Sequence, residues 1–162
     1  MILLTVGTQF GFDRLVKAVD RCARDEFVGD EILAQIGPGK YVPKYMRSVE
    51  TLDRGEFDRV VQSASAIISH AGIGSISLAM KAAKPLLVMP RESIYGEVVN
   101  DHQVATARRF AELGCLLVAN DAQELPGKLL LLKGFHPVAR VPNRKGVIAR
   151  ISHIVDADLA VS

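Results

Sequence analysis

The chain has little of what marks a disulfide-bonded, nucleic-acid-binding or membrane-spanning protein. It has only two cysteines, Cys22 and Cys115, and both lie within apolar patterns, so we expect buried free thiols in a reducing compartment. Aromatic residues make up 6% of the chain and the net charge is +2, which argues against binding to nucleic acid. The apolar start MILLTVG and the later run LLLLK are too short to cross a bilayer, and the first lacks the basic residues of a signal peptide. We therefore expect a soluble protein.

Two common nucleotide-binding motifs are also missing. The first apolar run ends in VGTQFGF, whose glycine spacing differs from the G-x-G-x-x-G of dinucleotide-binding proteins, and the lysine-bearing phosphate loop is absent too. The histidines show no paired spacing typical of metal ligands. NAD-dependent redox chemistry, ATP hydrolysis and a metal site are therefore disfavoured, and we expect neither a metal nor a cofactor.

What the chain does contain is an alternation of apolar strands with amphipathic helices. Its length suits one domain over 1–162, in which the part from 133 to 162 has no clear role. Strands are predicted at 2–7, 31–37, 46–50, 65–72, 84–90 and 115–119. Helices are predicted at 12–27, 53–64, 73–83, 100–114, 121–133 (broken by Pro126) and 146–159. Continuous apolar strands between helices predict an α/β fold, a Rossmann-like doubly wound parallel sheet whose ligands bind at the carboxyl ends of the strands.

Two glycine-containing turns follow predicted strands at that edge. Their residues are Gly7, Thr8, Gln9, His70, Gly72, Gly74 and Ser75. Glycine lets the backbone approach a ligand, and the unpaired amides at the start of a helix favour an anion such as phosphate. The alternative is that these glycines only permit tight turns. Two such turns on one sheet edge favour a phosphate-bearing ligand.

His70 has two interpretations at this stage. Its ring either donates a hydrogen bond to a sugar or phosphate, or belongs to the core and is satisfied by the backbone.

A second polar cluster, PRESIYGEVVNDHQ, occupies residues 90–103. Asn100 or Asp101 is expected to cap the following helix, and His102 and Gln103 offer directed hydrogen bonds to sugar hydroxyls. The planar guanidinium of Arg91 suits a carboxylate sugar or a phosphate. Its alternative is a surface ion pair with Glu92 or Glu97.

These residues resemble a known family. HAGIGSISLAMKAAKPLLVMPR followed by NDHQVATARRFAELG is similar to the donor-binding half of family 28 glycosyltransferases of the GT-B fold. The opening TVGTQFGFDRLVKAVD resembles members in which that half is a separate small protein, above all the subunits of exopolysaccharide transferases of the glucuronosyltransferase type. The dolichol-linked N-acetylglucosamine transferase subunit of eukaryotes is expected to be a more distant relative. The resemblance covers residues 1–120 and implies half of a GT-B fold.

The resemblance also implies roles for individual residues. Gly7 and Thr8 match a loop that faces the diphosphate, while His102 and Gln103 match positions that contact the donor sugar. The loop and helix start that hold the nucleotide sugar correspond to His70, Gly72, Gly74 and Ser75. Leu78 departs from the family, in which a glutamate often holds the ribose, and Ala83 stands where the family has the glycine of G-K-P.

The implied reaction is inverting transfer from a UDP-sugar to a lipid-linked acceptor. A single donor-binding domain has no acceptor site, so the resemblance implies a membrane-associated, acceptor-binding partner subunit. The chain would then lie in the cytoplasm at the inner face of the membrane, and a homo-oligomer without the partner stays open. Glu97, Asp101 and His70 are the candidate bases on this chain, with a carboxylate of the partner as the alternative. A non-catalytic nucleotide-binding module is the rival interpretation.

Overall fold

The computed structural model describes residues 1–138, which form a six-stranded parallel sheet between two layers of helices. The strands are β1 (Ile2–Thr5), β2 (Ile32–Gln35), β3 (Arg47–Val49), β4 (Ala66–His70), β5 (Leu86–Met89) and β6 (Leu117–Val118). The helices are α1 (Asp13–Arg24), α2 (Arg54–Ser63), α3 (Ile73–Lys81), α4 (His102–Glu112) and α5 (Leu125–Leu132), with a 3₁₀ turn at Ser93–Tyr95. The helix predicted at 146–159 lies outside the described residues.

The strand order is β3-β2-β1-β4-β5-β6, and every neighbouring pair is parallel. The chain winds outward from β1 to β3 and then returns to the other side of β1 with β4. This is the predicted doubly wound arrangement, in which ligands bind where the winding direction reverses. That reversal lies between the carboxyl ends of β1 and β4.

The alternation of side chains along each strand builds a core on both faces of the sheet. Leu4 and Ile68 pack with α1 and α5 on one face, whereas Leu3 and Ile67 pack with α2, α3 and α4 on the other. All four side chains are fully buried. The continuous apolar strands of the sequence are thus explained, because neither face of the sheet meets solvent.

Two details of the helix predictions are corrected by the structure. Pro126 does not break a helix, because α5 begins at Leu125 and places this proline in its first turn, where no backbone N–H is needed. Asp101 occupies the position before α4, but its side chain does not cap that helix and accepts a hydrogen bond from the Ser93 N–H (2.7 Å). Asn100 Oδ1 makes only a long 3.5 Å contact with the His102 N–H.

Cys22 and Cys115 are buried free thiols, as predicted. Burial, aided by the charge of Asp25, raises the pKa of Cys22 to about 11, so the thiol stays protonated and unreactive. Within residues 1–138, no helix combines the length and apolar character needed to cross a bilayer.

The turn after α3 holds Ala83, Lys84 and Pro85, which stand where the resembled family has G-K-P. Ala83, which stands at the glycine position, adopts a left-handed backbone with φ of +52°. Lys84 then donates from Nζ to the carbonyl oxygens of Gln62 (2.6 Å) and Ala64 (2.7 Å), which lie at the end of α2. The lysine therefore ties the end of α2 to the turn that leads into β5.

Candidate functional site

A cleft of about 730 Å³ opens at the carboxyl edge of the sheet, over the point where the winding reverses. One end of the cleft is formed by the loop after β1 and the start of α3. The other end lies between α2 and α3. Its lining residues are Thr5, Val6, Gly7, Thr8, Gln9, Phe10, Gln35, Leu52, Arg54, Phe57, His70, Gly74, Ser75, Leu78, Arg91, Val98 and Gln103.

The His70 ring fills the space between the two glycine turns. A Cβ on Gly72 would stand 2.4 Å from His70 Nε2, and a Cβ on Gly7 would stand 3.4 Å from His70 Cε1. Gly7 also has a φ of +81°, which a residue with a side chain adopts only with strain. These two glycines are therefore explained by the packing of His70 and by turn geometry. By contrast, a Cβ on Gly74 would meet no atom of the described residues within 4 Å, so the backbone at the start of α3 is accessible from the cleft.

Hydrogen bonds to Ser69 fix the tautomer of His70. The Ser69 hydroxyl donates its one hydrogen to the Thr5 carbonyl oxygen (2.7 Å), so Ser69 Oγ must accept from His70 Nδ1–H at 3.2 Å. The other nitrogen, Nε2, then carries a lone pair. Burial, followed by the charge of Arg91, lowers the pKa of His70 to about 4, which keeps the ring neutral at physiological pH. In this state Nε2 accepts hydrogen bonds, whereas a donor role toward phosphate would require protonation.

The first turn of α3 presents unpaired backbone amides to the cleft. Gly72 precedes the helix in an extended conformation, and no side chain of residues 1–138 caps the helix. The first intrahelical bond runs from the Ile76 N–H to the Gly72 carbonyl, which leaves the N–H groups of Ile73, Gly74 and Ser75 without intrahelical partners. Gly74 and Ser75 line the cleft, where these amides and the helix dipole favour an anion.

Arg91 is a buried residue that holds the loop after β1, so the alternative of a surface ion pair with Glu92 or Glu97 is wrong. Its guanidinium donates to the carbonyl oxygens of Val6 (3.1 Å), Phe10 (2.8 Å) and Gly11 (2.7 Å). It also lies over the Phe12 ring, 4.7 Å from the centroid, and is only 4% exposed. Burial lowers the pKa of Arg91, and the charge of Glu97 partly offsets this effect. The fold therefore uses most of the donor capacity of Arg91 to shape the first loop.

Arg14, which no sequence motif singles out, is the residue that pairs with Glu97. Arg14 Nε and Nη2 donate to the two carboxylate oxygens of Glu97, both at 2.8 Å, and Nη2 also reaches the Pro90 carbonyl at 2.8 Å. The Glu92 N–H donates to Glu97 as well (3.1 Å). Burial lowers the pKa of Arg14, but the hydrogen bond and charge of Glu97 outweigh it and raise the pKa overall. Glu97 thus anchors the 92–101 loop to α1.

The remaining polar residues of this loop fall into two groups. Gln103 lines the cleft, and its Oε1 accepts a hydrogen bond from the Arg91 N–H at 3.2 Å. Asn100, Asp101 and His102 are exposed and are not part of the cleft lining. The hydrogen bond from the Ser93 backbone lowers the pKa of Asp101, which makes its carboxylate a weaker base.

The structure therefore brings most of the predicted donor-binding residues into one cleft. Those that line it are Gly7, Thr8, Gln9, His70, Gly74, Ser75, Arg91 and Gln103. Gly72 lies just behind them under the His70 ring, whereas Asn100 and His102 lie outside. Their roles in ligand binding stay predictions. Within residues 1–138, no three His, Cys, Asp or Glu side chains gather in a way that could hold a metal ion.

The end of the cleft between α2 and α3 was not predicted from the sequence. Gln35, at the end of β2, and Leu52, Phe57 and Leu78 line this part. Gln35 left a signal in the sequence, because it is a polar residue at the end of the otherwise apolar run ILAQ. Leu52 and Phe57 left none, because they come from the segment after β3 and meet the cleft only through the fold.

Comparison with known proteins identifies the class that this fold and cleft define. Residues 1–133 match the glycosyltransferase family 28 C-terminal domain, and the chain belongs to this family. Among curated proteins it is similar to the UDP-N-acetylglucosamine transferase subunit ALG13 of Homo sapiens, with 32% identity over 124 residues and 71% of this chain. The Mus musculus subunit of the same name is 34% identical over 122 residues, or 70% of this chain. The matches span only 10% of the length of these two relatives.

Solved structures confirm the fold. An NMR structure of ALG13 superposes with a TM-score of 0.60 at 18% identity, covering 90% of this chain and 93% of that one. The crystal structure of MurG from Acinetobacter baumannii gives a TM-score of 0.57 at 17% identity, covering 93% of this chain and 49% of that one. The chain therefore has the fold of one half of a GT-B enzyme.

Proposed function

We propose that the chain is the donor-binding subunit of an inverting UDP-sugar glycosyltransferase that works with a second subunit. The observation that carries this proposal is the open first turn of α3, whose free amides face a cleft at the reversal of the sheet. A diphosphate bound there would be stabilised by backbone N–H groups and the helix dipole as negative charge develops on the leaving group. Family membership supports this use of the cleft.

The identity of the donor sugar is a more specific part of the proposal. The curated relatives are named UDP-N-acetylglucosamine transferase subunits, which makes UDP-N-acetylglucosamine the first donor to test. A glucuronosyl donor, as in the exopolysaccharide transferases, would need a cation for its carboxylate. Arg91 was the sequence candidate for that cation, but its guanidinium already serves three carbonyl groups. UDP-glucuronate is therefore the second donor to test.

Exposed apolar side chains near the cleft support the proposal of a partner. Phe10, which lines the cleft, is 66% exposed, and Val99 is 98% exposed in the 92–101 loop. Ile94 and Tyr95 in the same loop are also exposed. Exposed apolar side chains on these two loops suit contact with another protein surface better than contact with water. We propose that this partner is membrane-associated and brings the lipid-linked acceptor, so that the chain lies at the cytoplasmic face of the membrane.

The partner subunit, and not this chain, supplies the catalytic base in this proposal. Glu97 has both carboxylate oxygens occupied by Arg14, and the lowered pKa values of Asp101 and His70 make both groups weak bases. The same observation favours a second candidate function, a nucleotide-binding module without catalytic activity of its own. Both functions require that the cleft bind UDP.

Thermal unfolding with added ligands tests the shared requirement. A ligand at 100 times its dissociation constant stabilises the folded state by about 2.7 kcal/mol, so saturating UDP should raise the melting temperature by several degrees while NAD should not. A shift with NAD and none with UDP would refute the proposal. Co-expression with a candidate partner, followed by a transfer assay on isolated membranes, separates the two functions, because the binding module would bind UDP without transferring sugar.

A further inference from the structure

The loop between β2 and β3 exposes apolar side chains next to lysines. It carries the run KYVPKY, in which Val42 is 67% exposed and Tyr45 is 56% exposed. Lys40 and Lys44 are exposed as well, whereas Pro43 is buried. The loop is therefore seated on the protein at its centre while its apolar residues meet solvent. Single exposed apolar residues are common, so the case for a contact surface depends on what surrounds these two.

Two carboxylates of α1 hold this loop in place. Asp20, which is only 1% exposed, accepts hydrogen bonds from the Tyr41 hydroxyl (2.7 Å) and the Tyr45 N–H (2.8 Å). Asp13 accepts from the Lys40 N–H at 3.1 Å. A buried carboxylate is costly unless it is hydrogen-bonded in this way. These bonds hold the backbone at both ends of the run, so its exposed side chains are presented without further ordering of the loop.

Helix α1 adds a row of cations beside the loop. Lys17, Arg21 and Arg24 follow one another at intervals of four and three residues, which places them on one face of the helix. Lys17 Nζ lies 5.5 Å from the centroid of the Tyr41 ring, so this row adjoins the loop. Arg24 forms an exposed ion pair with Asp25 at 2.7 Å.

Four cations of this region have no carboxylate partner among residues 1–138. They are Lys17, Arg21, Lys40 and Lys44, and with Arg24, Val42 and Tyr45 they form a basic face of the protein. Asp20 does not offset this charge at the surface, because it is buried. Even with half-buried Asp13 included, the surface therefore has an excess of positive charge.

The composition of the basic face favours a lipid surface over a protein as its partner. Three of its four unpaired cations are lysines, which protein–protein interfaces tend to exclude but anionic lipid headgroups attract. A valine and a tyrosine next to lysines suit the boundary between headgroups and acyl chains. The apolar groups are buried there, while the ammonium groups reach the phosphates.

We infer that the basic face binds the anionic surface of a membrane, with Val42 and Tyr45 entering the headgroup region. None of the residues of the basic face lines the cleft, so a chain docked in this way keeps its cleft open to a nucleotide. The inference goes beyond the proposed function, because it requires neither a bound nucleotide nor the partner subunit. It gives this chain a membrane contact of its own.

Co-sedimentation of the full chain with lipid vesicles tests the inference. Wild type should bind vesicles of phosphatidylcholine with about one third phosphatidylglycerol about tenfold or more tightly than vesicles of phosphatidylcholine alone. Each cation near an anionic surface contributes about fivefold, so the double variant Lys40→Ala/Lys44→Ala should bind about 25-fold more weakly. Arg108→Ala/Arg109→Ala is the matched control. It removes the same charge from α4, on the other face of the sheet, and should bind within about threefold of wild type.

Fluorescence tests the apolar part of the contact. The chain contains no tryptophan, so a single introduced indole reports only on its own surroundings. The emission of Tyr45→Trp should shift to shorter wavelength with anionic vesicles, because the ring enters a less polar region. Tyr95→Trp, at a position of nearly equal exposure in the 92–101 loop (57% against 56%), should not shift. Val42→Ser should weaken vesicle binding by about fivefold.

Three results would each overturn the inference: equal binding to both kinds of vesicle, anionic binding that Lys40→Ala/Lys44→Ala leaves unchanged, and unshifted emission of vesicle-bound Tyr45→Trp. Binding to polyglutamate without binding to vesicles would assign the basic face to an acidic protein and overturn it too. Melting temperatures near that of wild type show that the variants fold. Any rise in melting temperature that UDP causes in wild type should persist in Lys40→Ala/Lys44→Ala, so failure of membrane binding and failure of the proposed function are distinguishable.

Discussion

Replacing Gly72 by alanine should destabilise the protein through a single contact with His70. The new Cβ would stand 2.4 Å from His70 Nε2 and 2.9 Å from Cδ2, inside the 3.4–4 Å of ordinary contacts. The backbone itself accepts alanine, because φ of −75° and ψ of 140° are extended values. The whole cost therefore comes from displacing the half-buried His70 ring, and overpacking of this kind costs about 1–3 kcal/mol. For a chain of this length that corresponds to a fall in melting temperature of about 2–12 °C.

A double-mutant cycle isolates the contact. In a His70→Ala background the ring is gone, so Gly72→Ala should become neutral or slightly stabilising, since alanine restricts the unfolded chain by about 0.4–1 kcal/mol. Urea unfolding of wild type, both single variants and the double variant measures the coupling. Equal destabilisation by Gly72→Ala in both backgrounds, or none in wild type, would refute the packing argument.

Gly74→Ala is the matched control for the same turn. Its Cβ would meet no atom of residues 1–138 within 4 Å, and alanine is the better helix former by about 1 kcal/mol, so stability should hold or rise. UDP binding should nevertheless weaken, because the methyl group would stand in the cleft where the proposed diphosphate approaches the amides. Unchanged UDP affinity together with raised stability would argue against the phosphate seat at α3.

Three further predictions concern stability. The pKa of His70 is lowered to about 4 in the folded state from its ordinary value of 6.5, so the unfolded state binds more protons between these two pH values. Stability should therefore fall by up to about 3 kcal/mol as pH drops from 6.5 to 4, and His70→Gln should flatten this part of a urea-unfolding pH series. Ala83→Gly should stabilise by about 1 kcal/mol because it relieves the left-handed φ of +52°, whereas Ala82→Gly, at φ of −81°, should not; equal effects in thermal melts would contradict this. Glu97→Gln should cost about 1–3 kcal/mol because it leaves half-buried Arg14 without its carboxylate, and a loss no greater than that of a variant in an exposed ion pair would show that the pair contributes little.

Much of the fold could be predicted because its signals are local. Apolar runs of strand length, helical spacing and glycine at turns lie within a few residues of each other, and these predicted every strand and the helices from α1 to α5. The exceptions are also local. Pro126 fits the first turn of a helix as well as it breaks a helix interior, and the surrounding residues do not decide between the two.

The roles of the charged residues could not be predicted in the same way. The sequence suggested either a surface ion pair or a ligand contact for Arg91. In the structure its guanidinium donates hydrogen bonds to backbone carbonyl groups within residues 6–11. Glu97 was a candidate base, but its partner Arg14 lies 83 residues away in the chain. The partners of Arg91 and Glu97 depend on which loops lie next to each other at the sheet edge. Neither composition nor motif spacing predicts which loops these are.

The sequence by itself determined the layered α/β architecture, the glycine turns at the strand ends and the family resemblance, because periodicity and motif spacing are properties of neighbouring residues. Only the tertiary structure decided that His70 accepts through Nε2, that Arg91 holds the first loop, and that Gln35 lines the cleft. Each of these depends on strand order and register, which bring Thr5, Gln35 and Ser69 into one row from three distant parts of the chain.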